Sequence, residues 1–361
     1  MKQDILIVGG YGSVGKHVAM ELVKTIPERI IIAGRDLNKA NTFASDSGYP
    51  LKTLKLDTNE ISNLPRQLKT VQTVVMCVEA KDTKFAEACM ENGVNYIDIS
   101  ASNNIPNRIK QLDRKAKENE VSFVLGVGIA PGLSTMLASK MAGDMEIIHE
   151  MNFTLMLGLG EQHGTDGVRW FLENLKTDFE IGGTSIQPFI KMYPARFPKP
   201  LEMRKSYIFD LADREIIAQT LEIPSVYTYF CYDSKFMTGM VHVLKKMKLL
   251  SMLKKPKIFN LFLKTFSSDK MSKNSKLSDT IGMHITATGE RHGRTVTYSG
   301  NITGSNSSTV TGKVIAYTAM QLAQNNYPTG VHYLNEVADL DEVMNALDED
   351  LSVEISPINH D

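Results

Sequence analysis

The sequence predicts an α/β fold, a doubly wound parallel sheet with an α+β domain inserted after it. Three observations in its 361 residues carry that prediction. Residues 1 to about 130 repeat one unit: a short apolar β-branched run, a turn, and a segment of helical period. The first of these turns is rich in glycine and opens directly into a helical pattern. After Pro131-Gly132 the texture changes, and Met283 to Ile302 alternates in polarity as an antiparallel hairpin does.

The apolar runs are Ile5–Val8, Ile30–Ala33, Leu51–Leu56, Val71–Val78, Tyr96–Ile99 and Val121–Leu125, each of strand length. Val74-Val75-Met76-Cys77-Val78 is apolar at every position, which suits a strand covered on both sides. Helical patterns at Val14–Val23, Asp82–Asn92 and Ile105–Asn119 lie between the runs. In the first of them Val14, Val18 and Leu22 stack on one face. Strands alternating with helices make right-handed βαβ units, and so a parallel sheet. Further on, Met151–Leu157 reads as a strand, Gly158–Gly167 as a polar loop, and Gly289-Glu290-Arg291-His292-Gly293 as the hairpin turn. From Gly312 a helical segment with Val314, Tyr317, Met320 and Leu322 leads toward the C-terminus. The expected division is a first domain at 1–130, an inserted domain at 131–311, and a segment 312–361 that returns to the first.

Composition excludes several classes. With 40 Lys+Arg against 41 Asp+Glu the net charge is −1, so the surface as a whole is not built for nucleic acid. Cys77, Cys89 and Cys231 are scattered in apolar surroundings, without the paired spacing that binds zinc. That usage suits a reduced, cytoplasmic chain with no metal site. Ile5–Val8 is too short for a signal peptide's apolar region, and no run of about 18 apolar residues is long enough to cross a bilayer.

The residues Gly9-Gly10-Tyr11-Gly12-Ser13-Val14-Gly15-Lys16-His17 are the most informative. Gly10, Gly12 and Gly15 fit G-x-G-x-x-G between a strand and a helix. In that pattern the first glycine permits a tight turn and the second lets backbone approach a pyrophosphate. The third lets the helix sit close on the sheet, and the helix N-terminus offers N–H donors to the anion. This is a Rossmann dinucleotide loop, completed by Tyr11, Ser13 and Val14. The same stretch also begins a Walker A pattern, but His17 stands where magnesium would need Ser or Thr. Twenty positions past Gly15 comes Arg35, in Gly34-Arg35-Asp36. An acidic residue there takes the ribose 2′-hydroxyl of NAD, whereas arginine favours the 2′-phosphate of NADP. Lys39 adds charge one helical turn on, so NADP is expected, with Asp36 keeping NAD as the alternative.

Ligands of such sheets sit outside the carboxyl ends of the strands. The same crevice should therefore gather Asp57, Cys77, Val78 and Ser100. Asp57 is placed for an adenine amino group or a turn cap, and Cys77 reads as a packed apolar group. No Ser-x-x-Lys, Gly-x-Ser-x-Gly or His-Glu-x-x-His pattern supports hydrolysis. Reducing a carbonyl or imine needs an acid within hydrogen-bond reach. The loop Glu161–Asp166 offers His163, whose imidazole titrates near neutrality, and Asp166. Gly128 and Pro131, leading out of the sixth strand, and Arg169 and Trp170, on the helical pattern after the loop, are expected to border the substrate. The plainer reading of that loop and helix is a polar turn and an amphipathic face.

One segment departs from the charge balance. Eleven lysines between Lys235 and Lys276 face Asp269 alone, interleaved with Met240, Leu244, Met247, Leu250, Phe259 and Phe262 and split by Pro256. Such a segment is a solvated helical face, a cover for an anionic ligand, or a basic amphipathic pair in weak contact with a membrane surface.

These features resemble the saccharopine dehydrogenase (saccharopine reductase-like) oxidoreductases. The resemblance rests on the glycine loop, Ala33-Gly34-Arg35-Asp36, Asn95-Tyr96-Ile97-Asp98-Ile99-Ser100 and Gly128-Ile129-Ala130-Pro131-Gly132-Leu133-Ser134. It continues through Arg196-Phe197-Pro198, Tyr207-Ile208-Phe209-Asp210 and Gly330-Val331. It implies a Rossmann domain, an inserted substrate domain with its own sheet, and NADP. Saccharopine reductases carry an acidic residue before the Pro-Gly pair where this chain has Ala130, so the resemblance bears on cofactor more than on substrate. The expectation is an NADP-dependent oxidoreductase, a homodimer, moving hydride to or from a C–N or C–O centre of a small, amino-acid-like molecule. Two other classes stay open: a non-catalytic dinucleotide-binding sensor or interaction protein, and a peripheral membrane reductase acting on a lipid. NADPH turnover separates the first from an enzyme, and salt-sensitive liposome binding would mark the second.

Overall fold

A computed structural model of the protein describes residues 2–160, 165–266, 278–347 and 351–358. The chain forms two compact units, residues 1–133 with 308–348, and residues 134–307 with 349–361.

In the first unit the apolar runs become β1 (Asp4–Val8), β2 (Ile30–Gly34), β3 (Lys52–Lys55), β4 (Val71–Met76), β5 (Asn95–Asp98) and β6 (Ser122–Leu125). With a seventh strand, Gly330–Tyr333, they form one parallel sheet. The order runs from that seventh strand through β6, β5, β4, β1 and β2 to β3. The order reverses direction between β1 and β4, which puts the ligand crevice of a doubly wound sheet at their carboxyl ends. Ile5, Leu6 and Ile7 have no exposed surface, because helices cover both faces. Burying each such side chain stabilises the unit by roughly 1.5–3 kcal/mol. The helix α1 (Ser13–Leu22) turns Gly15, Val18, Ala19 and Leu22 inward. Beside it runs the helix Ser307–Ala323, and a Cβ on its Gly312 would come within 2.5 Å of the Cβ of His17. Glycine at that crossing sets how closely the two helices lie. The single helix expected at Ile105–Asn119 is two, Asn104–Lys110 and Asp113–Glu118. Between them the chain tightens, the Leu112 N–H turning back to Ile109 O at 2.9 Å. Ile105, Ile109 and Ala116 are buried on both sides of the break, which is why one period ran through it.

The second unit contains β7 (Ile147–Leu157), the small hairpin β8 (Phe179–Ile181) and β9 (Thr184–Ile186), β10 (Met192–Arg196), β11 (Met203–Ile208), β12 (Ser225–Tyr232), β13 (Thr280–Arg291) and β14 (Arg294–Ser305). Its sheet is ordered β10-β11-β12-β7-β13-β14 and ends in the strand Ser352–Pro357. Only β7 and β12 pair in parallel. Alternation sends Met151, Phe153, Leu155, Met283, Ile285 and Phe230 to one buried face. The β13–β14 ladder continues to Arg291 opposite Arg294, so the turn is His292-Gly293 alone, with φ of 52° and 69°. Two left-handed residues give the tight turn that matches strand twist.

The segment 312–361 was expected to return to the first unit, but its described strand Ser352–Pro357 joins the sheet of the second. Ser352–Pro357 pairs antiparallel with β14, Thr303 opposite Ser352 through Tyr298 opposite Pro357. Without it β14 would be a bare sheet edge with unpaired N–H and C=O groups.

Candidate dinucleotide site

The loop after β1 turns at Gly9, with φ of +78°, and not at Gly10 as the G-x-G-x-x-G pattern suggested. The left-handed backbone and the crowding both demand glycine at Gly9, where a Cβ would meet Val78 Cγ1 at 2.6 Å. The Gly9 and Gly10 N–H groups donate to Ala33 O at 2.8 and 3.3 Å, which ties the loop to the end of β2. Gly12 is exposed and caps α1 from an extended backbone, its N–H donating to Gly9 O at 2.8 Å. A Cβ on Gly15 would lie 2.3 Å from Gly9 O, so the helix rests directly on the loop. No acidic residue stands in the first turn of α1. The first N–H groups of a helix have no partner within it, and together with the helix dipole they favour an anion beside Ser13 and Val14.

At the end of β2 the side chains divide their tasks. Arg35 is exposed. Asp36 caps α2 (Leu37–Ser47), its Oδ1 accepting the Lys39 N–H at 3.1 Å, so the carboxylate beside Arg35 is committed to a helix end. Tyr11 lies over Gly34, and its hydroxyl accepts the Asp36 N–H at 3.1 Å. Beyond β3, Asp57 accepts the Asn59 N–H at 3.0 Å and its Nδ2 at 2.6 Å, the bonding of a turn cap. Those bonds hold the Asp57 carboxyl below its ordinary value, helped by the charges of Arg35 and Lys81. Arg35 and Lys81 therefore lie within electrostatic reach of the Asp57 carboxylate at this end of the sheet.

The ends of β4 and β5 form the floor. Cys77 donates its N–H to Val8 O at 2.9 Å, and burial pushes its thiol up to about 12, so it stays neutral. Asp98 was not among the residues singled out from sequence. It is fully buried, accepts the Ser100 N–H at 2.8 Å and the Tyr96 hydroxyl at 3.4 Å, and burial raises its pKa against the Ser100 bond. The signal was available: a lone charge inside Tyr96-Ile97-Asp98-Ile99 must find partners. After β6, Val127 donates to Asp98 O at 3.1 Å and Leu133 to Gly128 O at 3.0 Å, closing a loop in which Gly128 and Pro131 are buried.

Gly10, Tyr11, Gly12, Ser13, Val14, Gly15, Arg35, Asp57, Cys77, Val78 and Ser100 thus lie at or just past the carboxyl ends of β1 to β5. Arg169 and Trp170 belong to the second unit, where Trp170 meets Phe209 edge-on at 5.7 Å and Arg169 lies over the Phe259 ring. His163 and the side chain of Asp166 lie outside the described residues. A depression lined by Asp4, Lys52 and Arg66 opens at the amino ends of β1 and β3, the wrong edge for such a ligand. Among the described residues no group of three His, Cys, Asp or Glu side chains could hold a metal ion.

The cradle fits a dinucleotide, because an exposed glycine, a helix N-terminus and a basic strand end lie along one edge. Residues 5–124 match the family model of the saccharopine dehydrogenase NADP binding domain. Residues 5–124 thus form a saccharopine dehydrogenase-like NADP binding domain. Its cofactor class is NADP, with NAD as the alternative. The saccharopine dehydrogenase-like fold extends past the matched residues. The L-Glu-forming saccharopine dehydrogenase of Saccharomyces cerevisiae superposes with a TM-score of 0.73 at 13% identity, over 99% of this chain and 100% of that one. Homospermidine synthase from Legionella pneumophila, solved with NAD, superposes with a TM-score of 0.66 at 12% identity, over 99% and 92%. At such identities the likeness is one of fold.

Proposed function

We propose that the protein is an NADP-dependent oxidoreductase that moves hydride to or from a carbon bonded to nitrogen or oxygen in a small, amino-acid-like substrate. The observation that carries this reading is the division of labour at the end of β2, with Arg35 exposed and Asp36 committed to capping α2. An acidic residue bound to ribose would favour NAD; an exposed guanidinium, with Lys39 one helical turn further along the chain, favours the 2′-phosphate. The L-glutamate-forming activity named for the yeast relative supports an amino-acid-like substrate.

When bound, the nicotinamide donates or accepts the hydride. This chain's residues bind and orient it. Gly12 and the first turn of α1 receive the pyrophosphate, and Gly15 keeps that turn close to the loop. Cys77, held neutral, does not act as a nucleophile. A reduced imine or carbonyl needs a proton, and His163 is the proposed donor, with Asp166 as the second candidate. Arg169, Trp170, Gly128 and Pro131 are the proposed substrate neighbours.

The test is NADPH absorbance followed with purified protein, 2-keto acids and primary amines, with product analysis. The expected result is NADPH consumption with formation of an amino-acid product. Tight NADPH binding without consumption across such a panel would favour a non-catalytic sensor. Once a substrate is in hand, His163→Ala should lower turnover by at least about tenfold with NADPH affinity unchanged. Undiminished turnover would remove His163 from the mechanism.

A further inference from the structure

The helix Lys235–Lys246 presents apolar side chains on both of its sides. Ser234 starts it, its Oγ accepting the Met237 N–H at 3.2 Å. One side is packed: Thr238 and Val241 are buried, His242 stacks on Tyr207 at 4.3 Å, and Lys245 Nζ donates to Leu175 O at 2.7 Å. On the other side Phe236, Met240, Val243 and Met247 follow at intervals of four, three and four, a single stripe about 16 Å long. Phe236 is 77% exposed, Val243 50% and Met247 63%. The apolar surface continues through Leu249 and Met252, both nearly half exposed. On the next helix, Pro256–Phe266, Leu261 is exposed while Phe259 and Leu263 are buried. A solvent-facing stripe of this kind marks a contact surface rather than scattered exposure.

The charge around the stripe says what it contacts. From Lys235 to Phe266 there are eight lysines and no carboxylate, in a chain whose net charge is −1. Lys235, Lys246, Lys255 and Lys257 are exposed beside the apolar residues. A protein interface of ordinary composition mixes both signs at its rim. An apolar stripe whose own segment carries lysines and no carboxylate is complementary to lipid headgroups that carry negative charge above an acyl layer. We propose that this surface docks on an anionic phospholipid membrane, with Phe236, Met240, Val243 and Met247 entering the headgroup layer and the lysines pairing with its phosphates. The inference does not rest on the dinucleotide reading.

The experiment is co-sedimentation of the full-length protein with vesicles of phosphatidylcholine alone, or of phosphatidylcholine mixed with phosphatidylserine. Binding is expected only to the phosphatidylserine vesicles, and it should weaken as salt rises, because counterions screen the lysines. Phe236→Ser with Met247→Ser should weaken binding at least about tenfold, and Lys246→Glu with Lys255→Glu should do the same. All four positions are exposed, and unchanged thermal unfolding would show that the variants fold. No binding to either vesicle overturns the proposal, as does equal, salt-independent binding to both. If the serine variants instead convert a dimer into a monomer in light scattering, the stripe is a self-contact and the membrane reading fails.

Discussion

Asp213 and Ser134 illustrate what one buried carboxylate costs. Asp213 opens the helix Asp213–Thr220 with almost no exposed surface and accepts the Ser134 hydroxyl. Burial pushes its pKa up to about 6, against the Ser134 bond. A carboxyl whose folded pKa is raised stabilises the fold while protonated. That contribution is complete below the unfolded value near 4 and is lost as pH rises to about 6. The loss is on the order of 2–3 kcal/mol. Asp213→Asn keeps the shape without the charge. Its stability relative to wild type should therefore improve by that amount between about pH 4 and about pH 7.5, measured by urea unfolding at each. A gap that does not change with pH would mean Asp213 ionises without penalty. At this scale the sequence named most of the strand-end residues but not their conformations. Spacing gives no φ value, so the turn was placed at Gly10 rather than Gly9. Nor does spacing show that Asp36 would turn its carboxylate to a helix end.

The elements that were legible have both faces buried or a strict period. β1, β2, β4, β5 and β6 announced themselves because parallel strands under helices are largely apolar, whereas β3, Lys52–Lys55, is a half-exposed edge strand. Ser352–Pro357 did not, since its short alternation follows a long helical segment and its pairing with β14 is remote in sequence. The loop and α1 act as one element, and Gly15 joins them. Gly15→Ala places a methyl group 2.3 Å from Gly9 O, so helix and loop must separate. Dinucleotide affinity should fall at least about tenfold, and the melting temperature should fall with it, as expected for overpacking worth about 1–3 kcal/mol. Calorimetric affinity equal to wild type would mean the phosphates do not rest on this turn.

For the molecule as a whole, composition concealed as much as it showed. A net charge of −1 averages over a lysine-rich surface that has no carboxylate from 235 to 266. Among the described residues no helix is long and apolar enough to cross a membrane. The proton donor is the part least legible in sequence, because general acid catalysis depends on reach and a polar loop shows only composition. The cofactor is the part most legible, because it needs a strand, three glycines, a helix start and a cation at fixed spacing. NADP preference is therefore tested at Arg35. Dissociation constants for NADPH and NADH should be measured by titration calorimetry in wild type and in Arg35→Ala. Wild type should prefer NADPH, and the variant should lose roughly ten- to hundredfold of that preference, the worth of a charge-assisted contact of about 1.5–3 kcal/mol. Equal affinities in wild type, or a preference that Arg35→Ala leaves intact, would contradict the account.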